Sequence, residues 1–409
     1  MALFRVYIRP FDDDGNYTSW VEISKYVSAR ALSALEQSID SSDYQLGVFR
    51  YPNFNLTLDN RDGSFSDVGG AQTIFRYKRS GSQIKVTFCE REFPPLCGFM
   101  ICGDPESAML WTELTVFKGL LNDESCTQSI ADDTITFNVL GFESEFSRAI
   151  VPFGTVHNGD LTSAVIFNCL NQDQITNLLT VDQANISVGI DQQIDSIASL
   201  QNKTVKEGLD KLLLATNSVL FIENDTIYIS ARTPTAEVKS TFYGQASALG
   251  PENIQNLFDV KNGLSRTFNF FSWKDAPAAM VTDPTSTTKY GIRKKELDLD
   301  FFEIAQKQVN ILTALRNEFS TPKQELSVTM PATPITVGIR VLDRIAIDYP
   351  TVLIPAESEV PVCGAAEFDV AVMPDAAWSF SLDTDTHFKV ISKKVNPGAL
   401  TVDFRLREI

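Results

Sequence analysis

The side chains able to do chemistry are few and poorly spaced for it. His is the usual proton shuttle near neutral pH, but the two histidines, His157 and His387, lie far apart and in no motif that supplies a partner. Both read as surface or hydrogen-bonded histidines. Glu143 with Glu145, and Asp300 with Glu303, have the form of the acid and base pair of glycoside hydrolysis. With 52 acidic residues such pairs arise by chance. Cys89, Cys97 and Cys102 fall close together, and Cys126 would complete a soft four-thiol set for zinc. Their gaps of seven and four residues fit no common zinc pattern, so structural thiols are the reading. Asp12-Asp13-Asp14-Gly15 and Asn60-Arg61-Asp62-Gly63 have the flavour of calcium loops, but the first-ligand positions hold Pro10 and Leu58. Both are turns. H-E-x-x-H, G-x-S-x-G, P-loop and G-x-G-x-x-G patterns are absent. No catalytic, cofactor-binding or metal residue is therefore expected, and the chain reads as a building block rather than an enzyme.

The elements that would position these groups are mostly strands. Phe54, Leu56 and Leu58 alternate with polar residues before the Asn60–Gly63 turn, and Ile84 to Phe88 alternates likewise. Ile135, Phe137 and Val139 give the cleanest ladder. Val116 to Leu121 precedes it and ends in a turn-rich stretch from Asn122. From 150 to 250 the pattern turns mixed. Leu161 to Leu170 suits a short helix, and Thr204-Val205-Lys206-Glu207 is a capping box ahead of the helical stripe Val205, Leu209, Leu212 and Leu213. Val219–Ile222 and Thr226–Ile229 then form a hairpin. In the last third Ala305, Val309, Leu312, Leu315 and Phe319 recur at helical steps and stop before Pro322. Strands follow at 326–330, 344–348, 388–391 and 402–406, the last two joined through Asn396-Pro397-Gly398. The stretches 272–288 and 351–383 read as loops or insertions, and no repeat of solenoid length is visible.

The 409 residues are enough for two or three domains, and 44% hydrophobic against 21% charged is a normal globular balance. Phe, at 28 copies, favours sheets. The formal charge of −17, from 35 basic and 52 acidic residues, argues against gripping nucleic acid or anionic lipid over the surface at large. No apolar run of membrane-spanning length occurs, and Met1 to Pro10 lacks the form of a secretory signal. Six cysteines without a C-x-x-C pair suit a reducing cytoplasm.

Four stretches together resemble the tail hub proteins of tailed bacteriophages and gene transfer agents. They are Phe54 to Asp67 with its D-N-x-D-G-x-F turn and Ile74-Phe75-Arg76-Tyr77; Phe117-Lys118-Gly119-Leu120-Leu121 leading to Phe142, with Leu121 where the family pattern has Ile; Val205 to Ser230 continued by Asn253-Ile254 and Lys261 to Asn269; and the helix from Phe302 with the closing hairpin from Phe388. The resemblance implies a mainly β fold. Two tail-tube-like β-barrel or sandwich domains, at 1–150 and 251–409, would flank a small mixed α/β domain at 151–250, with a helix near 302–319 and an insertion near 351–383. It implies a homotrimer whose six similar domains match a sixfold tail tube or distal tail ring above to a threefold central spike or fibre below. Tape measure protein or DNA would pass through its channel without specific binding, and an acidic lumen would suit that passage. No cofactor is implied, and the place is the distal end of the virion tail. Pro94–Glu106 and 351–383 match nothing in the pattern. The competing readings are an adsorption protein that binds a host receptor or glycan, and a peptidoglycan-cleaving tail enzyme.

Overall fold

The computed structural model describes residues 2–39, 53–66, 73–92, 110–129, 382 and 385–409, together with 133–349 apart from 153, 224, 245, 246, 248, 251, 275, 277 and 278. The fold is mainly β, with two curled seven-stranded sheets and few helices. The first sheet uses β1 (Ala2–Arg9), β2 (Val21–Glu22), β3 (Val27–Leu32), β5 (Asn53–Asp59), β6 (Gln83–Glu92), β7 (Leu110–Ser129) and β8 (Thr134–Gly141) in the order β2-β1-β6-β7-β8-β5-β3. The short strand β4 (Leu35–Ser38) leaves this sheet. Alternation decides which face is buried. Phe54, Leu56 and Leu58 lie opposite Val139, Phe137 and Ile135, and all six are buried. Gly119 is required where β7 crosses β8, because a Cβ there would come 2.2 Å from the Leu140 carbonyl oxygen. The turn expected from Asn122 is absent. β7 runs on to Ser129 and absorbs the polar stretch through a register shift between Asn122 and Thr127.

The second sheet uses β12 (Val238–Tyr243), β13 (Asn256–Lys261), β17 (Glu325–Pro331), β18 (Arg344–Asp348), β19 (His387–Asn396) and β20 (Thr401–Glu408) in the order β12-β18-β19-β20-β17-β13. Its seventh strand is β4, which pairs antiparallel with β19 from Leu35 opposite Val395 to Ser38 opposite Ser392. The two sheets repeat one topology. Along the chain β3, β5, β6, β7, β8 correspond to β13, β17, β18, β19, β20, and in space β6-β7-β8-β5-β3 corresponds to β18-β19-β20-β17-β13. The repeat is longer than any the sequence displays. Pro94–Glu106 and 351–383, nearly all of them outside the described residues, fall in the equivalent connections β6–β7 and β18–β19. One apolar core holds both sheets, with Phe88, Phe137 and Leu56 from the first and Phe388, Phe404 and Leu326 from the second.

A second core gathers two separate chain segments. One carries α1 (Thr162–Leu170), α2 (Asp173–Thr176), β9 (Ile186–Ser187), α3 (Val205–Ala215) and the hairpin β10 (Ser218–Glu223) and β11 (Thr226–Ala231). The other carries β14 (Phe270–Trp273), β15 (Met280–Thr282), α4 (Pro284–Tyr290), β16 (Lys294–Leu297) and α5 (Ala305–Phe319). The capping box at Thr204 is present in both directions, with Thr204 Oγ1 accepting from the Glu207 N–H and Glu207 accepting from the Thr204 N–H. Ile311, Leu312, Leu315 and Phe319 of α5 pack with Leu209, Leu212 and Phe271. The stretch 272–288 is therefore not a plain loop. Asp283 caps α4 by accepting from the Ser286 N–H, and Pro284 sits at the first helical position. A short helix α6 (Pro334–Gly338) completes the fold beside β7.

Candidate functional site

The nominated turns are turns. Asp12 Oδ1 accepts from the N–H groups of Asp14 and Asn16 at 3.0 and 2.8 Å. Asn60 Oδ1 accepts from the Phe65 N–H at 2.8 Å, and Gly63 takes a positive φ of 72°. Hydrogen bonds from Ser64 hold the Asp62 carboxyl below the usual range. The histidines lie in different parts of the fold. His157 is exposed in the second core's outer loops, while His387 opens β19 and its Nδ1 accepts from Arg344 at 2.7 Å. Cys89 on β6 and Cys169 on α1 are buried thiols, and burial pushes Cys169 up to about 12. Cys126 is half-buried on β7, and Cys97, Cys102 and Cys363 lie outside the described residues. Among the described residues no three His, Cys, Asp or Glu side chains cluster to hold a metal.

The acidic pairs separate into different roles. Asp300 pairs with Lys211 at 3.2 Å, whereas Glu303 is exposed and lends only its backbone N–H to Asp195. Glu143 and Glu145 share a 3-10 turn over Phe142–Ser147, and both are buried. Glu145 is satisfied by Arg148 at 2.6 Å and Gln174 at 3.0 Å. Glu143 has no such partner among the described residues, and burial pushes its carboxyl up to about 7.

Glu143 opens into a cleft of about 190 Å³ where both sheets meet the second core. Its lining comes from β4, β7, the Phe142–Ser147 turn, the β10–β11 hairpin, the end of α6 and β19. The hairpin tip is fastened to either side. Asp225 pairs with Lys118 of β7, and Glu223 pairs with Arg340 at 2.7 Å. Lys393 stands opposite Phe404 at an inward position of β19 and donates to the Val337 carbonyl. Burial pushes its ammonium down to about 8. Sequence reading missed Lys393, although a lysine alternating with buried Val395 was the available signal. Chemically the cleft offers an ionisable carboxyl, apolar walls and ion-paired rims.

The outward faces of the ladders are polar. Asn55, Asn138 and Asn122 form one row across β5, β8 and β7, and Thr57, Thr136 and Thr127 form the next. The Thr57 and Thr136 hydroxyls hydrogen-bond at 2.8 Å, and Asn138 donates to Asn55 at 3.2 Å. The equivalent pair of the second sheet is Thr329 and Asp403, at 2.7 Å. Among the described residues no helix is long and apolar enough to cross a membrane.

No protein-family model matches the chain, and no curated protein matches it. Solved structures do. A tail protein from Neisseria meningitidis MC58 is similar over 100% of this chain and 96% of its own, with 11% identity and a TM-score of 0.55. The 43 kDa tail protein of prophage MuSo2 from Shewanella oneidensis covers 99% of this chain and 96% of its own, with 12% identity and a TM-score of 0.51. A prophage tail protein from Listeria monocytogenes EGD-e covers 98% and 94%, with 9% identity and a TM-score of 0.52. The chain has the fold of these tail proteins.

Proposed function

We propose that the chain is a structural protein of a phage tail and forms its trimeric hub. In this reading the two ladders act as two tube-like domains in each subunit. Three subunits present six of them to a sixfold tube and three copies of the remainder to a central spike or fibre. The second core, built from a segment between the ladders and another within the second ladder, is the part that differs from the tube, and the polar ladder faces border the channel for DNA. The observation that carries the reading is the strand order β6-β7-β8-β5-β3 repeated as β18-β19-β20-β17-β13 within a chain that matches prophage tail proteins over 98% or more of its length. Such a duplication is what converts threefold into sixfold symmetry, because an oligomer interface must close under its own rotation. The work is then to match symmetries, and it needs no catalytic residue.

The test is the native mass of the purified chain, followed by imaging of tails that carry a tagged copy. A mass of three subunits and a label at the distal tip are expected. A single subunit under every condition, including in the presence of tails, would overturn the proposal.

A further inference from the structure

The cleft holds one group that the fold itself does not use. Glu143 is 8% exposed and lines the cleft, and its carboxyl is opposed only by its own backbone N–H among the described residues. A carboxyl that lines a cleft and is paired with no other side chain of the described residues keeps acceptor sites open to a donor from outside.

The other ionisable side chains of the lining are Glu36, Lys118, Glu223, Asp225, Arg340 and Lys393. Lys118 is held by Asp225, Arg340 by Glu223, and Lys393 donates to the Val337 carbonyl. Glu36 accepts from the Ser392 hydroxyl at 3.3 Å. The two ion pairs cancel, which leaves two carboxylates against one ammonium. The unused group is thus an ionisable carboxyl in a cleft that is slightly anionic once it ionises. Around it Val116, Phe142, Phe221 and Ile222 supply apolar wall. Two strand edges border the same space. Among the described residues β4 ladders only with β19, and β7 meets β8 only from Gly119 onward. The edges of Leu35–Gln37 and Leu114–Lys118 can therefore accept an extended chain.

We propose that this cleft is a docking site for an extended segment of a different, basic protein, which seats one Lys or Arg side chain on Glu143. The local balance of two carboxylates against one ammonium attracts a basic side chain. The inference goes beyond the hub reading and does not depend on it.

Capped pentapeptides Ac-Leu-Val-X-Val-Leu-amide, with X as Arg, Lys, norleucine or Glu, are titrated calorimetrically into the full chain between pH 6 and 8. The Arg and Lys peptides are expected to bind at least tenfold tighter than the norleucine peptide, with the preference growing as pH rises. Glu143→Gln is expected to erase that preference, and Glu143→Asp to keep part of it. Carbon NMR of the wild-type Glu143 carboxyl provides a readout without any variant, since the Arg peptide should shift it to the ionised form. Binding of no peptide, tightest binding of the Glu peptide, or a preference that survives Glu143→Gln would each overturn the proposal. A change of subunit number in Glu143→Gln would assign the cleft to a second copy and also overturn it. A monomeric chain that still selects the Arg peptide would sink the hub reading and leave this site standing.

Discussion

Glu318, near the end of α5, neutralises a crowd of buried cations, and its removal should hurt more than removal of its partner. Its carboxylate meets Lys389 Nζ at 2.5 Å, with the Lys389 side chain only 4% exposed. Lys389 also donates to the Arg232 carbonyl and feels the Arg407 and Arg232 guanidiniums, both buried. Burial pushes the Lys389 ammonium down, against the pull of Glu318. Burial opposes ionisation of Glu318 too, but Lys389, Arg407 and Lys323 still hold its carboxyl below the usual range. Breaking a buried pair costs about 3–5 kcal/mol. Lys389→Met leaves Glu318 facing Arg407 and relieves some cation crowding, so about 3 kcal/mol is expected. Glu318→Gln leaves Lys389 facing two guanidiniums and should cost about 5 kcal/mol. At roughly 2 °C per kcal/mol for a large domain, melting should fall by roughly 6 and 10 °C. The pH dependence separates the two variants. In Glu318→Gln the Lys389 pKa is depressed further below its unfolded value, so the unfolded chain binds more protons and stability rises with pH in the alkaline range. The double variant Lys389→Met with Glu318→Leu should return to within about 1 kcal/mol of wild type. Urea and thermal melts across pH 6–10 measure all of this. A Glu318→Gln chain as stable as Lys389→Met, or a double variant no better than either, would refute the reasoning.

Further outcomes are expected elsewhere. Glu143→Gln should flatten the pH profile of stability. The raised carboxyl makes the folded state bind the extra proton between pH about 4.5 and 7, so wild-type stability falls over that window by roughly 3 kcal/mol in denaturant melts, and the variant should not follow it. Gly119→Ala should cost about 3 kcal/mol in urea, because its Cβ overlaps the Leu140 carbonyl and the Phe117 ring. Thr204→Ala should cost about 1 kcal/mol through loss of the capping box at α3. Deleting residues 386–409 removes β19 and β20, and with them the only strand ladder of β4 among the described residues. No folded second sheet and no assembled tails are expected, as read by circular dichroism and electron microscopy.

Local signals were legible in the sequence where one face is buried. The alternation at Phe54–Leu58 and Ile135–Val139, the Thr204 box and the α5 stripe all became elements, because period and capping are properties of a few adjacent residues. Long-range choices were not legible. Nothing in Leu35–Ser38 announces a partner at Ser392–Val395, and α5 carries an apolar stripe without naming the surface that covers it. The pair of similar domains was implied by the family resemblance and by no repeat of residues, because the duplication lies in the pairing order of the strands. The 272–288 stretch was misread through its Pro and Thr content, although Asp283-Pro284 held a helix start. At the cleft, Glu143 was noticed for the wrong neighbour. Its importance comes from burial against Phe142 and the hairpin, which only the assembled fold creates.

The strand β4 has a consequence for biosynthesis. Glu36 and its neighbour Ser392 are 356 positions apart, so β4 leaves the ribosome long before its partner strand exists. At about 5–20 residues per second the wait is roughly 20–70 s. Once β8 has emerged, the first ladder is complete beside a strand that still has nowhere to go. The seam closes last, and a nascent chain halted before β19 should be the species that chaperones hold and proteases find.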